Sequence, residues 1–188
     1  MTAARRRGAH VVTIDVRATE AAAQSDQTLI VRPGSDAALA LGMMHVIVTE
    51  ELWDRACVEH HTVGFDALAA HVRDHTPARA AAATGVPAER IVALARRYAT
   101  TKPAMIVVGG SSMHKGDGSW TGARAIGCLP GLTGNVGIPG GGFGPRHGGA
   151  PHGQALGTSP PRTGARPAPG FRARCPWSPR RCSTAACA

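Results

Sequence analysis

Three short stretches of this 188-residue chain combine residue types and spacings that could do chemistry. Asp15-Val16-Arg17 places a carboxylate and a guanidinium directly after the β-branched run His10 to Asp15. Pro33-Gly34-Ser35-Asp36 reads as a turn, followed by two residues able to cap a helix, and it sets a second carboxylate close to a glycine. Gly109-Gly110-Ser111-Ser112 follows the apolar run Ala104 to Val108, and the carboxyl end of such a strand is where open parallel sheets place their ligands. As isolated elements, the first two are explained as well by turn and helix-cap chemistry as by ligand binding.

The elements that would carry these stretches follow from hydrophobic periodicity. His10 to Asp15, Leu29 to Val31 and Ala104 to Val108 read as short buried strands of a parallel sheet. The spacing predicts a helix from about Ala37 to Val48, whose apolar residues cover most of its circumference and so place it in the core. Further helices are predicted at Ala3 to Arg7, 51–60, 66–75 and Trp120 to Leu132. Another opens at Pro87, presents Ile91, Leu94, Ala95 and Tyr98 on one face and ends at Lys102-Pro103. The alternation makes the chain α/β: a Rossmann-like parallel sheet flanked by helices, then a glycine-rich loop region and an irregular C-terminal tail. Seventeen of the 24 glycines lie between residues 109 and 157, so that stretch is expected to be mostly loop.

The formal charge of +9 raises nucleic-acid binding, but its distribution argues against it. Residues 158–188 hold six arginines and no acidic residue, whereas residues 1–157 balance 15 Lys and Arg against 12 Asp and Glu. A nucleic-acid reading rests entirely on that tail, whose six arginines are accompanied by only two aromatics, Phe171 and Trp177. Residues 158–188 are read as a disordered extension or an out-of-frame translation, and residues 1–157 as one α/β module. Cys175, Cys182 and Cys187 fit neither a zinc nor an iron–sulfur spacing, and Cys57 and Cys128 read as buried free thiols. His71 and His75 lie four apart on a predicted helix with no accompanying glutamate, a solvated helix face rather than a metal site. No apolar run approaches the roughly 20 residues of a membrane span, and no secretory signal is present, so the chain as it stands is expected in the cytoplasm.

Taken in order, GAHVVTIDVRATEAAAQSD, RPGSDAALALGMMHVIVTE, TGVPAERIVALARRYATTKPAMIVVGGSSMHKGDG and RAIGCLPGLTGNVGIPGGG resemble the molybdopterin oxidoreductases of the dimethylsulfoxide reductase and formate dehydrogenase type, over residues 3–153. The resemblance implies that the chain is part of a catalytic subunit whose cofactor is molybdopterin guanine dinucleotide. In that family a D-P-R-like element and a P-G-T-D element hold the guanosine end. Here they correspond to Asp15-Val16-Arg17 and Pro33-Gly34-Ser35-Asp36, with Val16 for the usual proline and Ser35 for the usual threonine. The chemistry suits guanine, whose ring N–H and exocyclic amine can both donate to one carboxylate, and Asp36 is the first choice for that contact. Gly109, Gly110, Met113 and His114 correspond to the family's glycine motif near the pterin and phosphates, with Met113 where many relatives carry Gln or Arg. There a glycine permits close backbone approach, while serine hydroxyls, backbone N–H groups and His114 can donate to anionic oxygens.

By the same resemblance, a [4Fe–4S] cluster and the molybdenum ligand belong to segments of the parent enzyme not matched here. The remaining parental domains, and an iron–sulfur electron-transfer subunit, are the implied partners. No residue of the chain is assigned catalysis or metal ligation, and it is expected to be inactive alone. An unrelated α/β nucleotide-binding protein, such as the central domain of thiamine-dependent enzymes, is the alternative. The lack of G-x-G-x-x-G, with Ser111 and His114 at motif positions, weakens a nicotinamide reading.

Overall fold

The structure is a computed structural model that describes residues 2–109 and 118–145, all within the first of two units, Met1–Gly148. The tail from 158 onward, with its cysteines and arginines, lies outside the described residues. Strand β1 (Val12–Asp15) pairs in parallel with β2 (Gln27–Ile30), and Asp15 stands opposite Ile30. Between them runs a short helix, α2 (Glu20–Ala23), capped by Thr19, so the crossover is a single turn. Helix α1 (Thr2–Arg6) is tied to the same unit by Arg5, whose guanidinium donates to Asp26 at 2.6 and 3.0 Å.

Helix α3 (Asp36–Thr49) buries Leu39, Ala40, Gly42, Met43, Met44, Val46 and Ile47, on all sides rather than along one stripe, as the all-round apolar pattern predicts. Helices α5 (Phe65–Val72), α6 (Pro77–Thr84), α7 (Ala88–Thr100) and α8 (Ser119–Leu132) pack around it. Helix α4 (Arg55–His61) packs on α8. Helix α7 turns Ile91, Leu94, Ala95 and Ala99 inward, with Tyr98 packed against the core.

The second parallel pair joins β3 (Met105–Val108) to β4 (Gly142–Pro145). The fold is thus mixed α/β, with small parallel sheets flanked by helices. Among the described residues, however, the strands form two separate two-stranded pairs. Hydrophobic periodicity does not reveal α2, α6 or β4. Helix α4 starts later than the predicted 51–60, because residues 51–54 form the turn that Asp54 closes as the N-cap. No helix among the described residues is long and apolar enough to cross a membrane.

Where α3 crosses α6, Gly42 lets the helices touch: a Cβ there would stand 2.6 Å from the Ala80 Cβ. Gly42→Ala would recover about 1 kcal/mol of helix propensity. Neither Cβ can rotate away, however, and overpacking of this kind costs about 1–3 kcal/mol. The net effect should be destabilising. Gly127, inside α8 with nothing within 4 Å of its virtual Cβ, should behave oppositely. Urea denaturation should show a lower midpoint for Gly42→Ala and a higher one for Gly127→Ala.

Candidate cofactor-binding site

Pairing β1 with β2 brings two of the sequence motifs to one sheet edge. Asp15 ends β1, its carbonyl accepts the Val31 N–H at 2.9 Å, and the chain then runs through Arg32 and Pro33 to Gly34. Both polar turns therefore leave the carboxyl edge of the same parallel pair, where α/β sheets bind ligands. The Asp15 carboxylate is partly engaged locally: Oδ1 accepts the Val16 N–H at 2.7 Å and Oδ2 the Thr19 hydroxyl at 3.3 Å. Thr19 also caps α2, so this network orients Asp15. Val16 and Arg17 are exposed beside it.

Gly34 takes a left-handed φ of +78°, which L side chains rarely adopt, and a Cβ at this position would meet nothing within 4 Å. The glycine is therefore required by the turn, and it leaves its outer face open. Ser35 occupies the N-cap position of α3, yet its hydroxyl does not cap the helix. It donates back to the Arg32 carbonyl at 2.6 Å, tightening the turn. Helix capping therefore does not account for this serine.

Asp36, in the first turn of α3, is half-buried, and its side chain makes no hydrogen bond or ion pair among the described residues. Of the two carboxylates at the edge, this is the one with its acceptor sites free.

Arg32, just outside the Pro33–Asp36 motif, fixes the turn from behind. Its guanidinium donates to the Ala82 carbonyl at 2.5 Å and its N–H to the Thr84 carbonyl at 2.9 Å. No local pattern could have revealed this, since the partners lie some fifty residues away on α6.

Of the third motif, Gly109 is described and lies at the exposed end of β3, while Gly110, Met113 and His114 lie outside the described residues. Helix α8, which follows in sequence, passes over the first turn of α3. A Cβ on Gly122 would stand 3.7 Å from the Ala37 nitrogen and 3.9 Å from the Asp36 Cβ. Helix α8 thus abuts the backbone and Cβ at the start of α3, beside the second motif.

The Gly134 to Gly142 stretch is a polar knot. Asn135 is fully buried; its Oδ1 accepts the Ala104 N–H at 2.8 Å, its Nδ2 donates to the Thr133 hydroxyl at 2.9 Å, and its N–H donates to the Pro130 carbonyl at 2.9 Å. The end of α8 is thereby fastened to the start of β3. Gly141 must lack a side chain, because a Cβ would stand 2.6 Å from the Asn135 carbonyl oxygen.

Gly134 is similarly constrained by Asp54, which caps α4 and pairs with Lys102. Burial pushes the pKa of the Tyr98 phenol, which lies beside Thr133, up to about 12. These glycines serve chain geometry.

The His71 and His75 rings lie 4.9 Å apart, and no group of three or more metal-capable side chains occurs among the described residues. Cys57 and Cys128 are free and half-buried, and the Cys57 thiol points to the Gly131 carbonyl at 3.4 Å.

Fold and site together define a mixed α/β protein with polar turns gathered at the carboxyl edge of parallel strands. Residues 1–169 match the molybdopterin oxidoreductase family, and the chain belongs to that family. It is 39% identical over 139 residues to the probable oxidoreductase YoaE of Bacillus subtilis, covering 74% of this chain and 20% of that one. It is 38% identical over 160 residues to the dimethyl sulfoxide reductase DmsA of Escherichia coli, covering 74% and 20%.

Among solved structures, acetylene hydratase from Pelobacter acetylenicus matches with a TM-score of 0.68 and 36% identity, over 72% of this chain and 18% of its own. The chain therefore spans about a fifth of the length of the curated relatives it matches. Membership implies a molybdenum–pterin cofactor.

Asn135→Ala would strand the Ala104 N–H in the interior, and a buried unsatisfied donor costs about 1–3 kcal/mol. Thermal denaturation should show that loss, while Val136→Ala, at an exposed neighbour, should change little. Asp54 carries a pH signature. The Lys102 ammonium, then the Cys57 N–H, hold its carboxyl below the usual value of 3.8, so the stability it adds is complete above that value and is lost as pH falls through the folded pKa. Asp54→Asn should therefore lower stability at neutral pH and flatten its decline from about pH 4 downward.

Proposed function

We propose that this chain contributes the guanosine-end grip for molybdopterin guanine dinucleotide in a molybdenum-dependent oxidoreductase, as part of one cofactor-binding α/β module over residues 1–157. The observation that carries the reading is Asp36: a half-buried carboxylate with no protein partner among the described residues, beside a glycine whose outer face is open. The donor set fits guanine, because a carboxylate accepts from the ring N–H and the exocyclic amine together. It fits a phosphate poorly there. The helix N-terminus, which would otherwise favour an anion, already carries a negative side chain.

Asp15, held by Thr19 and the Val16 N–H, borders the same sheet edge, and Arg17 stands beside it to meet the ribose or a phosphate. Gly34 and Ser35 hold the turn. Gly109 and Gly110, with Met113 and His114, form the second grip, near pterin and phosphates. When bound, the cofactor supplies the redox centre, while the residues of this chain orient it and exclude water from its guanine end. No catalytic or metal-ligating role falls to a residue here. A [4Fe–4S] cluster, further domains and an iron–sulfur subunit belong to the parent enzyme.

The isolated chain is a weak binder and catalytically silent, since a grip spread over several domains loses most of its affinity when divided. Guanosine diphosphate is the probe. Calorimetry should show weak binding of GDP in preference to ADP, and Asp36→Asn should weaken it by roughly tenfold or more, the worth of hydrogen bonds to a charged acceptor. Equal binding of ADP would favour the unrelated nucleotide-binding alternative, and no loss on Asp36→Asn would remove Asp36 from the site. Stoichiometric molybdenum with dye-linked reductase activity in the purified chain would overturn its silence.

A further inference from the structure

Three imidazoles that play no part in the guanine grip meet where α3, α5 and α6 join. His45 of α3 bonds through Nδ1 to the Val72 carbonyl at 2.9 Å, and because a carbonyl only accepts, Nδ1 carries the proton. The same carbonyl accepts the His75 N–H at 3.0 Å, so one oxygen ties α3 to the turn that enters α6. The His71 and His75 rings stand 4.9 Å apart. His75 precedes Thr76, the N-cap of α6, and Arg79 lies in the first turn of that helix.

These surroundings disfavour a charge on His75. The ring is half-buried, and burial first, then the Arg79 guanidinium, His71 and His45, oppose a proton on it, whereas the Asp74 carboxylate favours one. The balance holds its pKa below the ordinary 6.5. The α6 N-terminus acts in the same direction, since a helix start disfavours a nearby cation. A cleft of about 250 Å³, lined by Ala38, Leu41, His75, Arg79, Ala80 and Ala83, opens beside the ring and gives water a path to it.

Helix α6 offers little apolar adhesion of its own, because its alanine-rich body buries only Ala80 and Thr84. Its far end is bonded to Arg32, whose guanidinium donates to the Ala82 carbonyl and whose N–H donates to the Thr84 carbonyl. The Arg32 carbonyl in turn accepts the Ser35 hydroxyl at 2.6 Å and the Ser35 N–H at 3.2 Å. One short helix therefore has the imidazoles at its start and the turn that leads to Asp36 at its end.

We propose that His75, with His45 and His71 around it, is a proton-operated latch on the start of α6, closed while the ring is neutral and released in mild acid. Release slackens the Arg32 brace on the Pro33–Asp36 turn. The opened segment takes up a proton near the ordinary value of 6.5 and the closed one only below it, so the latch holds above that value and weakens as pH falls toward the folded pKa. This rests on the packing of α6 and is independent of guanine binding at Asp36.

Hydrogen exchange of the full chain, read by mass spectrometry at about pH 7.5 and about pH 5.5 and corrected for the intrinsic pH dependence of amide exchange, is the test. Residues 79–84 of α6 and 35–39 at the turn should exchange roughly threefold or more faster at the lower pH, while 125–132 of α8 stay unchanged. His75→Gln, which keeps a polar side chain without the charge, should remove the difference. If that variant does not fold, the charges beside the ring decide: Arg79→Gln should shrink the difference and Asp74→Asn should enlarge it. Equal corrected exchange at both pH values, a difference that survives His75→Gln, or an acceleration shared equally by α8 would overturn the latch. Faster exchange in α6 that leaves 35–39 untouched would overturn its link to the Arg32 brace.

Discussion

Helix α3 has almost no face for water, and the rest of the described structure is arranged to satisfy that demand. Four helices close around it, and Gly42 and Ala80 bring one of them to backbone distance. A helix held from all sides cannot shift along or about its axis without opening a void, and voids in a close-packed interior are costly. Its first turn is therefore held as firmly as its middle. That turn carries Asp36, so the carboxylate proposed to read guanine inherits its position from the hydrophobic core rather than from a flexible loop. The Ser35 and Arg32 hydrogen bonds finish the work by fixing the approach to the helix.

The strands are organised differently. Each pair has four residues per strand, and each leaves apolar side chains in water: Ile14, Val16 and Ile30 at the first pair, Met105 and Val107 at the second. Helices bury their backbone hydrogen bonds within themselves, whereas a parallel strand depends on neighbours at its edges and on both faces. The helical core is thus nearly self-sufficient, while each strand pair keeps apolar side chains exposed. Asn135 joins the two regimes by fastening the end of α8 to the start of β3 with a side chain whose polar atoms are both bonded.

What the sequence made legible follows the range of the interactions involved. The all-round burial of α3 and the one-sided burial of α7 are written in local periodicity, and both were read from it. Helix α6 was equally local, with Thr76 and Pro77 at its start and a left-handed Gly85 at its end, but its alanine-rich body has no strong hydrophobic contrast to flag it. Strand β4 was hidden for another reason. Gly142-Phe143-Gly144-Pro145 has poor strand propensity, and only pairing with β3 makes it a strand.

At the site, the turn residues were legible and their surroundings were not. The engagement of Asp15 by Thr19, the freedom of Asp36 and the bracing by Arg32 depend on which segments meet. The glycines of 134–142 gave an ambiguous signal that Asp54 and Asn135 resolve in favour of chain geometry.

The two carboxylates at the sheet edge are separated by what already occupies them. At Asp36 no hydrogen bond or ion pair among the described residues engages the side chain, so both oxygens are open to guanine's two donors. At Asp15 one oxygen already serves the adjacent backbone and the other a threonine hydroxyl, so a ligand donor there would have to share acceptors rather than fill empty ones. In the proposed function, base recognition thus falls to Asp36 and orientation of the edge to Asp15: one carboxylate keeps its acceptor sites open, and the other is already held in place by the turn around it.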